Sequence, residues 1–287
     1  MKRLIVNADD LGADEARNGG IFEAIESGAV TSVSILSNGI ALDNALALIK
    51  SLKSKRVSLG LHFNLSEGKP LTPGLKQLTG PDGHFLGKKR ARELLLNAPN
   101  SKLDAEMYSE FSAQLARLKN ADIRIDHLDG HQHVHFFPAV LKIVAAGARD
   151  NGIHWIRIAD EEPTPVKASS LSPLEMEEAL VFSGYAQAAR PYMRESGLLS
   201  PDHFRGLFFK GRLPTSNWVE FLEDLPAGLT ELMVHPGRAS SSARGPFSAF
   251  STSAREGELE ALTSGRFLQA LLETGVRLTP FPEAPIS

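Results

Sequence analysis

Cysteine is absent from the 287-residue sequence, and that removes disulfides, thiolate metal sites and cysteine nucleophiles together. Any chemistry must come from His, Asp, Glu or Ser. An excess of positive charge is missing as well. The formal net charge is -3 and the isoelectric point about 6.3, so no basic field exists to recruit nucleic acid or an anionic membrane. No apolar run approaches the ~20 residues of a membrane span. The first such run, Leu4 to Val6, is far shorter than a signal-peptide core and leads directly into Asn7, Asp9 and Asp10. These absences predict a soluble, cytoplasmic protein. What is present, 42% hydrophobic and 23% charged residues, supplies a large core and argues against disorder. No fixed-period repeat or low-complexity linker divides the chain, so residues 1–287 are expected to form a single domain.

Short β-rich runs alternate with longer helical patterns, the mark of repeated βα units around a mainly parallel sheet. The expected strands are Arg3 to Asn7, Val30 to Leu36, Val57 to His62, Ile123 to Leu128, His154 to Ile158, Gly206 to Phe209, Glu231 to Val234 and Val276 to Leu278. Eight of them suggest a closed or nearly closed α/β barrel. Leu103, Met107, Phe111, Leu115 and Leu118 recur at helical spacing, as do Leu259, Leu262, Leu268, Leu271 and Leu272, and both stripes read as core faces of covering helices. Three connections, Asn64 to Lys102, Ala159 to Pro173 and Pro236 to Arg255, are too long for simple turns. Each follows a strand, where α/β folds build their active sites, so they should form its walls or lid.

The polar chemistry gathers at the same strand ends. Asp9 and Asp10 follow the first run, His62 ends the third, Asp129 and His131 follow the fourth, and His235 ends the seventh. His127, His131, His133 and His135 fall within nine residues, which implies metal or acid–base work. One carboxylate with two imidazoles would hold a divalent cation and leave room for water. Adjacent aspartates suit a division of labour, one binding metal and one taking a proton. They also suit an acidic N-terminus for the helical stretch Glu15 to Glu26, together with Asp14. Histidines two apart would face one way in a strand, and for His133 and His135 ligation and a supporting role both stay open.

Leu4-Ile5-Val6-Asn7-Ala8-Asp9-Asp10-Leu11-Gly12, Gly60-Leu61-His62-Phe63-Asn64-Leu65 with Gly68-Lys69-Pro70-Leu71, Asp126-His127-Leu128-Asp129-Gly130-His131-Gln132-His133-Val134-His135, and Met233-Val234-His235-Pro236-Gly237 stand in this order. Together they resemble the motifs of the YdjC-like carbohydrate deacetylases, of which chitooligosaccharide deacetylase is the best described kind. The resemblance implies a glycoside hydrolase/deacetylase-type (β/α) barrel that hydrolyses the N-acetyl amide of an amino sugar or N-acetylated oligosaccharide and releases acetate. Position by position it implies Asp10, His62 and His131 as ligands of one divalent metal. It further implies Asp9 as the base, His235 as a protonated general acid, and Arg157, in Ile156-Arg157-Ile158 before Glu162-Pro163, as the residue that orients the base. Mixed nitrogen and oxygen ligation favours zinc, with magnesium, manganese or cobalt as alternatives. Asp202-His203-Phe204 also looks like a family segment, without a catalytic task attached, and Lys76 to Ser101 matches no motif.

Other readings of the same residues are a facial-triad iron oxygenase, an amidohydrolase-type metal hydrolase using His131 and His133 as an H-x-H pair, and a non-catalytic sugar- or metal-binding relative. The iron reading leaves Asp9 and His235 without tasks. The expected partner is an N-acetylated sugar rather than nucleic acid or membrane, and a homodimer is left open.

Overall fold

The apolar runs pair side by side, and every ladder between them is parallel. The computed structural model describes residues 1–52, 57–97, 100–163, 171–209, 213, 217–240, 246–247 and 252–283. Its strands are β1 (Lys2–Leu11), β2 (Ser32–Ile35), β3 (Ser58–Phe63), β4 (His127–Gly130), β5 (Trp155–Ile156), β6 (His203–Arg205), β7 (Gly228–Val234) and β8 (Arg277–Leu278). The helices are α1 (Glu15–Glu26), α2 (Leu42–Ser51), α3 (Lys88–Leu96), α4 (Ser101–Lys119), α5 (Pro138–Asp150), α6 (Pro173–Glu195), α7 (Trp218–Glu223), α8 (Ser253–Thr263) and α9 (Gly265–Thr274), with a tight 3-10 segment at His131–Phe136.

The ladder runs β5-β4-β3-β2-β1-β7-β6. β1 is the axis. One of its edges pairs along its length with β7, and the other pairs first with β8 at Arg3 and Leu4, then with β2 from Asn7 onward. The two ends of the ladder approach each other, because Ile156 N–H donates to Leu199 O and Leu199 N–H donates to His154 O, each at 2.8 Å. The sheet is therefore curled, but among the described residues no ladder joins β5 to β6. Strands covered on both faces have no reason to alternate, and Leu4 to Leu11 is buried throughout.

Several boundaries differ from expectation. β1 extends to Leu11, so Asp9 and Asp10 lie inside the strand rather than after it. β4 begins at His127 and not at Ile123; just ahead of it Asp126 bonds Leu59 through both its backbone N–H and its side chain. β6 is His203–Arg205 instead of Gly206 to Phe209. Gly206 sits at φ 138°, which breaks the extended run, and the buried Glu161 carboxylate accepts from Gly206 N and Leu207 N. The stripe on α4 is buried as expected. The second stripe is split by Ser264 at ψ 135°, and Leu272 is 85% exposed.

The first long connection is not loose. Glu110 on α4 accepts from Leu71 N and Thr72 N, and Glu106 accepts from Lys76, Gln77 and Leu78 N. It also contains α3. Residues 98–99, 164–170, 241–245 and 248–251 of the three expected loops lie outside the described residues. No helix among the described residues is long and apolar enough to cross a membrane.

Gly60 shows how closely the site strands are packed. A Cβ there would meet the His127 ring at 2.3 Å, and that ring is itself stacked on Phe281 with centroids 4.2 Å apart. We predict that Gly60→Ala destabilises the fold by about 1–3 kcal/mol, the usual penalty for overpacking, read as a lowered midpoint in chemical denaturation. An unchanged midpoint would show that His127 yields freely.

Candidate metal centre

Adjacent side chains on a strand point to opposite faces, yet Asp9 and Asp10 both line one cavity of about 260 Å³. The backbone explains this. Asp10 is left-handed, at φ 69°, and the pairing of β1 with β2 slips between Ala8 and Leu11. A non-glycine residue in that region is strained, although Asp tolerates it better than most. The strain turns the second carboxylate back toward the first.

Asp10, His62 and His131 meet in that cavity, and one ligand atom from each lies within 4.8 Å of the others. Asp10 Oδ1 is 2.9 Å from His131 Nδ1 and 3.4 Å from His62 Nε2. It is buried and receives no aligned hydrogen bond. The far nitrogen of each ring faces a carboxylate: His62 Nδ1 is 2.7 Å from Asp129 Oδ1, and His131 Nε2 is 3.0 Å from Glu67 Oε2. Such partners fix the tautomer and aim the opposite lone pair inward, as carboxylate–histidine–metal arrangements require. Burial alone would make both imidazoles less basic. Asp129 and Asp9 instead push His62 up to about 10, and Asp10 raises His131. The site thus draws positive charge to the place where the three ligand atoms converge. The donor set fits one divalent cation.

Beside it, Arg157 is fully buried and clamps the first aspartate, Asp9. Its Nη1 donates to Asp9 Oδ2 and its Nη2 to Asp9 Oδ1, both at 2.7 Å. The same guanidinium reaches Asp129 Oδ2 at 2.8 Å and Glu231 Oε1 at 2.7 Å. Asn7 Nδ2 also donates to Asp9 Oδ1. Burial would raise the Asp9 carboxyl, but Arg157 and His62 outweigh it and hold it below its ordinary value. Asp9 is ionised and oriented.

His235, at the end of β7, places Nε2 3.9 Å from Asp9 Oδ2 and Nδ1 3.9 Å from Glu258 Oε1. Burial, followed by the Arg255 guanidinium, pushes its imidazole down to about 3. This direction favours a neutral imidazole near pH 7, against the imidazolium that the resemblance implies.

The remaining histidines separate. His131–Phe136 is a tight turn with Gln132 at φ 52° and His133 at φ 58°, not a strand, so alternate residues do not share a face. His133 lines the cavity against Phe182, with ring centroids 5.0 Å apart, whereas His135 packs on Phe136 and points Nε2 at Arg157 O. Neither belongs to a group of converging ligand atoms among the described residues. Asp202 and His203 lie at the opposite end of the sheet, where Asp202 Oδ2 accepts from Leu229 N and His203 Nε2 faces Ala227 O.

Sequence reasoning gave no task to Glu67, Arg17, Glu231 or Phe182. Glu231 carried a signal, a carboxylate inside an apolar strand. The others carried none, since they meet the site only through long-range folding.

Three comparisons bear on this geometry. A family model described as YdjC-like protein matches residues 3–273. A protein of Mus musculus named carbohydrate deacetylase is 37% identical, with 96% of this chain and 93% of that protein aligned. One of the same name from Brevibacillus brevis is 28% identical over 98% of this chain and 99% of its own length. Among solved structures, a protein of Enterococcus faecalis V583 whose given name links it to cellobiose-phosphate cleavage superposes with a TM-score of 0.76. It covers 98% of this chain and 97% of its own at 23% identity, a likeness of fold.

The folded value of His235, about 3, lies below the ~6.5 of a free imidazole. The unfolded chain therefore binds the extra proton, and this group's contribution to stability is present above about pH 6.5 and lost as pH falls toward 3. We predict that ¹⁵N NMR of the His235 ring shows a neutral imidazole from pH 8 to pH 5. A midpoint near 6.5 would contradict this downward shift.

Proposed function

The chain belongs to the YdjC-like family, and from that premise we propose that it removes the N-acetyl group from an amino sugar or N-acetylated oligosaccharide, releasing acetate. It is a hydrolase of the deacetylase type, acting on amide C–N bonds. The observation that carries the proposal is the convergence of Asp10 Oδ1, His62 Nε2 and His131 Nδ1 in one cavity beside the clamped carboxylate of Asp9. Nothing of that kind is needed by a protein that only binds sugar. We read residues 1–287 as one deacetylase domain, and the curled sheet as an incompletely closed version of the glycoside hydrolase/deacetylase barrel.

Asp10, His62 and His131 would hold the cation, and their two nitrogens and one oxygen suit zinc first, with manganese, cobalt or magnesium as alternatives. When bound, such an ion supplies Lewis-acid polarisation of the amide carbonyl and makes water more acidic. Asp9 accepts the proton of the attacking water. Its two oxygens are held by the Arg157 fork, so it needs no reorientation as the proton arrives. The amine cannot leave as an anion and must be protonated. His235 stands beside Asp9 on the cavity wall to deliver that proton. With its imidazole pushed down by burial and Arg255, it would take the proton during turnover from the Asp9 side rather than from solvent beforehand. Phe182, Leu207 and Met233 line the same cavity and offer an apolar wall to the carbon face of a sugar ring.

The test is acetate release from N-acetylated amino sugars. Chelation should abolish it, and re-addition of one of the four metals should restore it. Asp9→Asn should keep the metal and lose roughly 10²- to 10⁴-fold in rate, the usual worth of a positioned base. Loss of metal in that variant would exchange the roles of the two aspartates. Absence of acetate with every metal and sugar would end the proposal.

A further inference from the structure

Arg17, on α1, is completely buried, an uncommon place for a guanidinium unless it is paired. Its Nη1 donates to Asp10 Oδ2 at 3.0 Å, while the other oxygen of that carboxylate is the one on which the two imidazoles converge. Its Nη2 donates to Phe247 O at 3.2 Å. The Phe247 ring stands edge-on to His131 at 5.8 Å, and a Cβ on Gly68 would touch it at 3.2 Å. Asp14 caps α1 by accepting from Arg17 N, and its carboxylate lies 3.7 Å from the guanidinium. α1 leaves the Arg17 side chain little room, since a Cβ on Gly237 would approach Arg17 Cγ at 3.3 Å and one on Gly20 would strike Gly237 at 2.5 Å.

We propose that Arg17 is a positioning residue for the metal centre: it occupies Asp10 Oδ2 so that Oδ1 alone faces the cation, and through Phe247 it braces His131. The inference rests on the reading of Asp10, His62 and His131 as ligands. Asp10 needs such a partner more than an ordinary carboxylate does, because its backbone is held at φ 69°. Without the fork, one oxygen would be buried and unpartnered, and the carboxylate would be free to turn toward the cation with both oxygens. A second effect has the opposite sign. A guanidinium this close repels a cation, so if Arg17 acted through its charge alone, removing it would tighten metal binding. Direction therefore separates positioning from simple electrostatics.

The experiment is zinc affinity by chelator competition on the purified protein, with the absorption spectrum of the cobalt-loaded form as a report on ligand geometry. Arg17→Met should weaken zinc about 10- to 100-fold, the range seen when a partner of a metal ligand is lost, and should change the cobalt spectrum. Arg17→Lys keeps the charge without the fork; it should fall between, and it decides the matter if the methionine variant does not fold. Wild-type affinity and spectrum in the lysine variant, or tighter zinc in the methionine variant, would overturn the inference. His62→Ala distinguishes the two failures. If it loses zinc while the Arg17 variants do not, only Arg17's role falls; if it keeps zinc at full occupancy, the ligand reading itself falls.

Discussion

One buried guanidinium fastens the centre of this molecule. Arg157, just beyond β5, is surrounded by Asp9 from β1, Asp129 from β4 and Glu231 from β7, and its charge lies 5.7 Å from the Phe204 ring on β6. A cation with no access to water persists only where its partners are complete, and here those partners come from strands spread across the curled sheet. The same charge has a second effect. Burial would raise the Glu231 carboxyl further than Arg157 can lower it, so that group sits near 7, whereas Asp9 and Asp129 are held below their ordinary values. Asp9 stays ionised in a place where an unpaired carboxylate would protonate.

From Arg157 the network continues to the metal centre without a gap. Asp129 joins the guanidinium to His62, His62 faces Asp10, and Asp10 meets Arg17. Two arginines thus bracket the two aspartates, one clamping the carboxylate assigned to the base and one holding the carboxylate assigned to the cation. Under the proposed function these neighbouring aspartates take different tasks because their backbones differ. Asp9 is ordinary strand, and Asp10 is turned by its left-handed conformation.

Much of this was legible in the sequence, for a physical reason. Parallel strands are short apolar runs, and polar residues that interrupt their ends, as at Asp9, His62, Asp129 and His235, have few structural uses. What could not be read were the boundaries and the partners. The Asp9–Asp10 pair lies inside β1 because a slipped register, not a turn, accommodates it. The spacing of His131, His133 and His135 would put them on one face if the run were a strand, but two left-handed residues, Gln132 and His133, fold it into a tight turn. Glu67 reaches His131 across 64 positions and Arg157 reaches Asp9 across 148; no local pattern encodes contacts of that span. His235 is assigned as an acid on the resemblance of its segment alone, and the packing that pushes its imidazole down, burial first and then Arg255, has no local pattern in the sequence.

The proposed reaction needs a cation at the meeting point of Asp10, His62 and His131. Anomalous diffraction from metal-soaked crystals, recorded above and below the absorption edge of zinc or manganese, would locate it. A single peak within bonding distance of Asp10 Oδ1, His62 Nε2 and His131 Nδ1, with Asp9 outside the coordination sphere, is the predicted result. A peak bound by Asp9 and Asp129 instead, or no peak in the cavity at saturating metal, would contradict it.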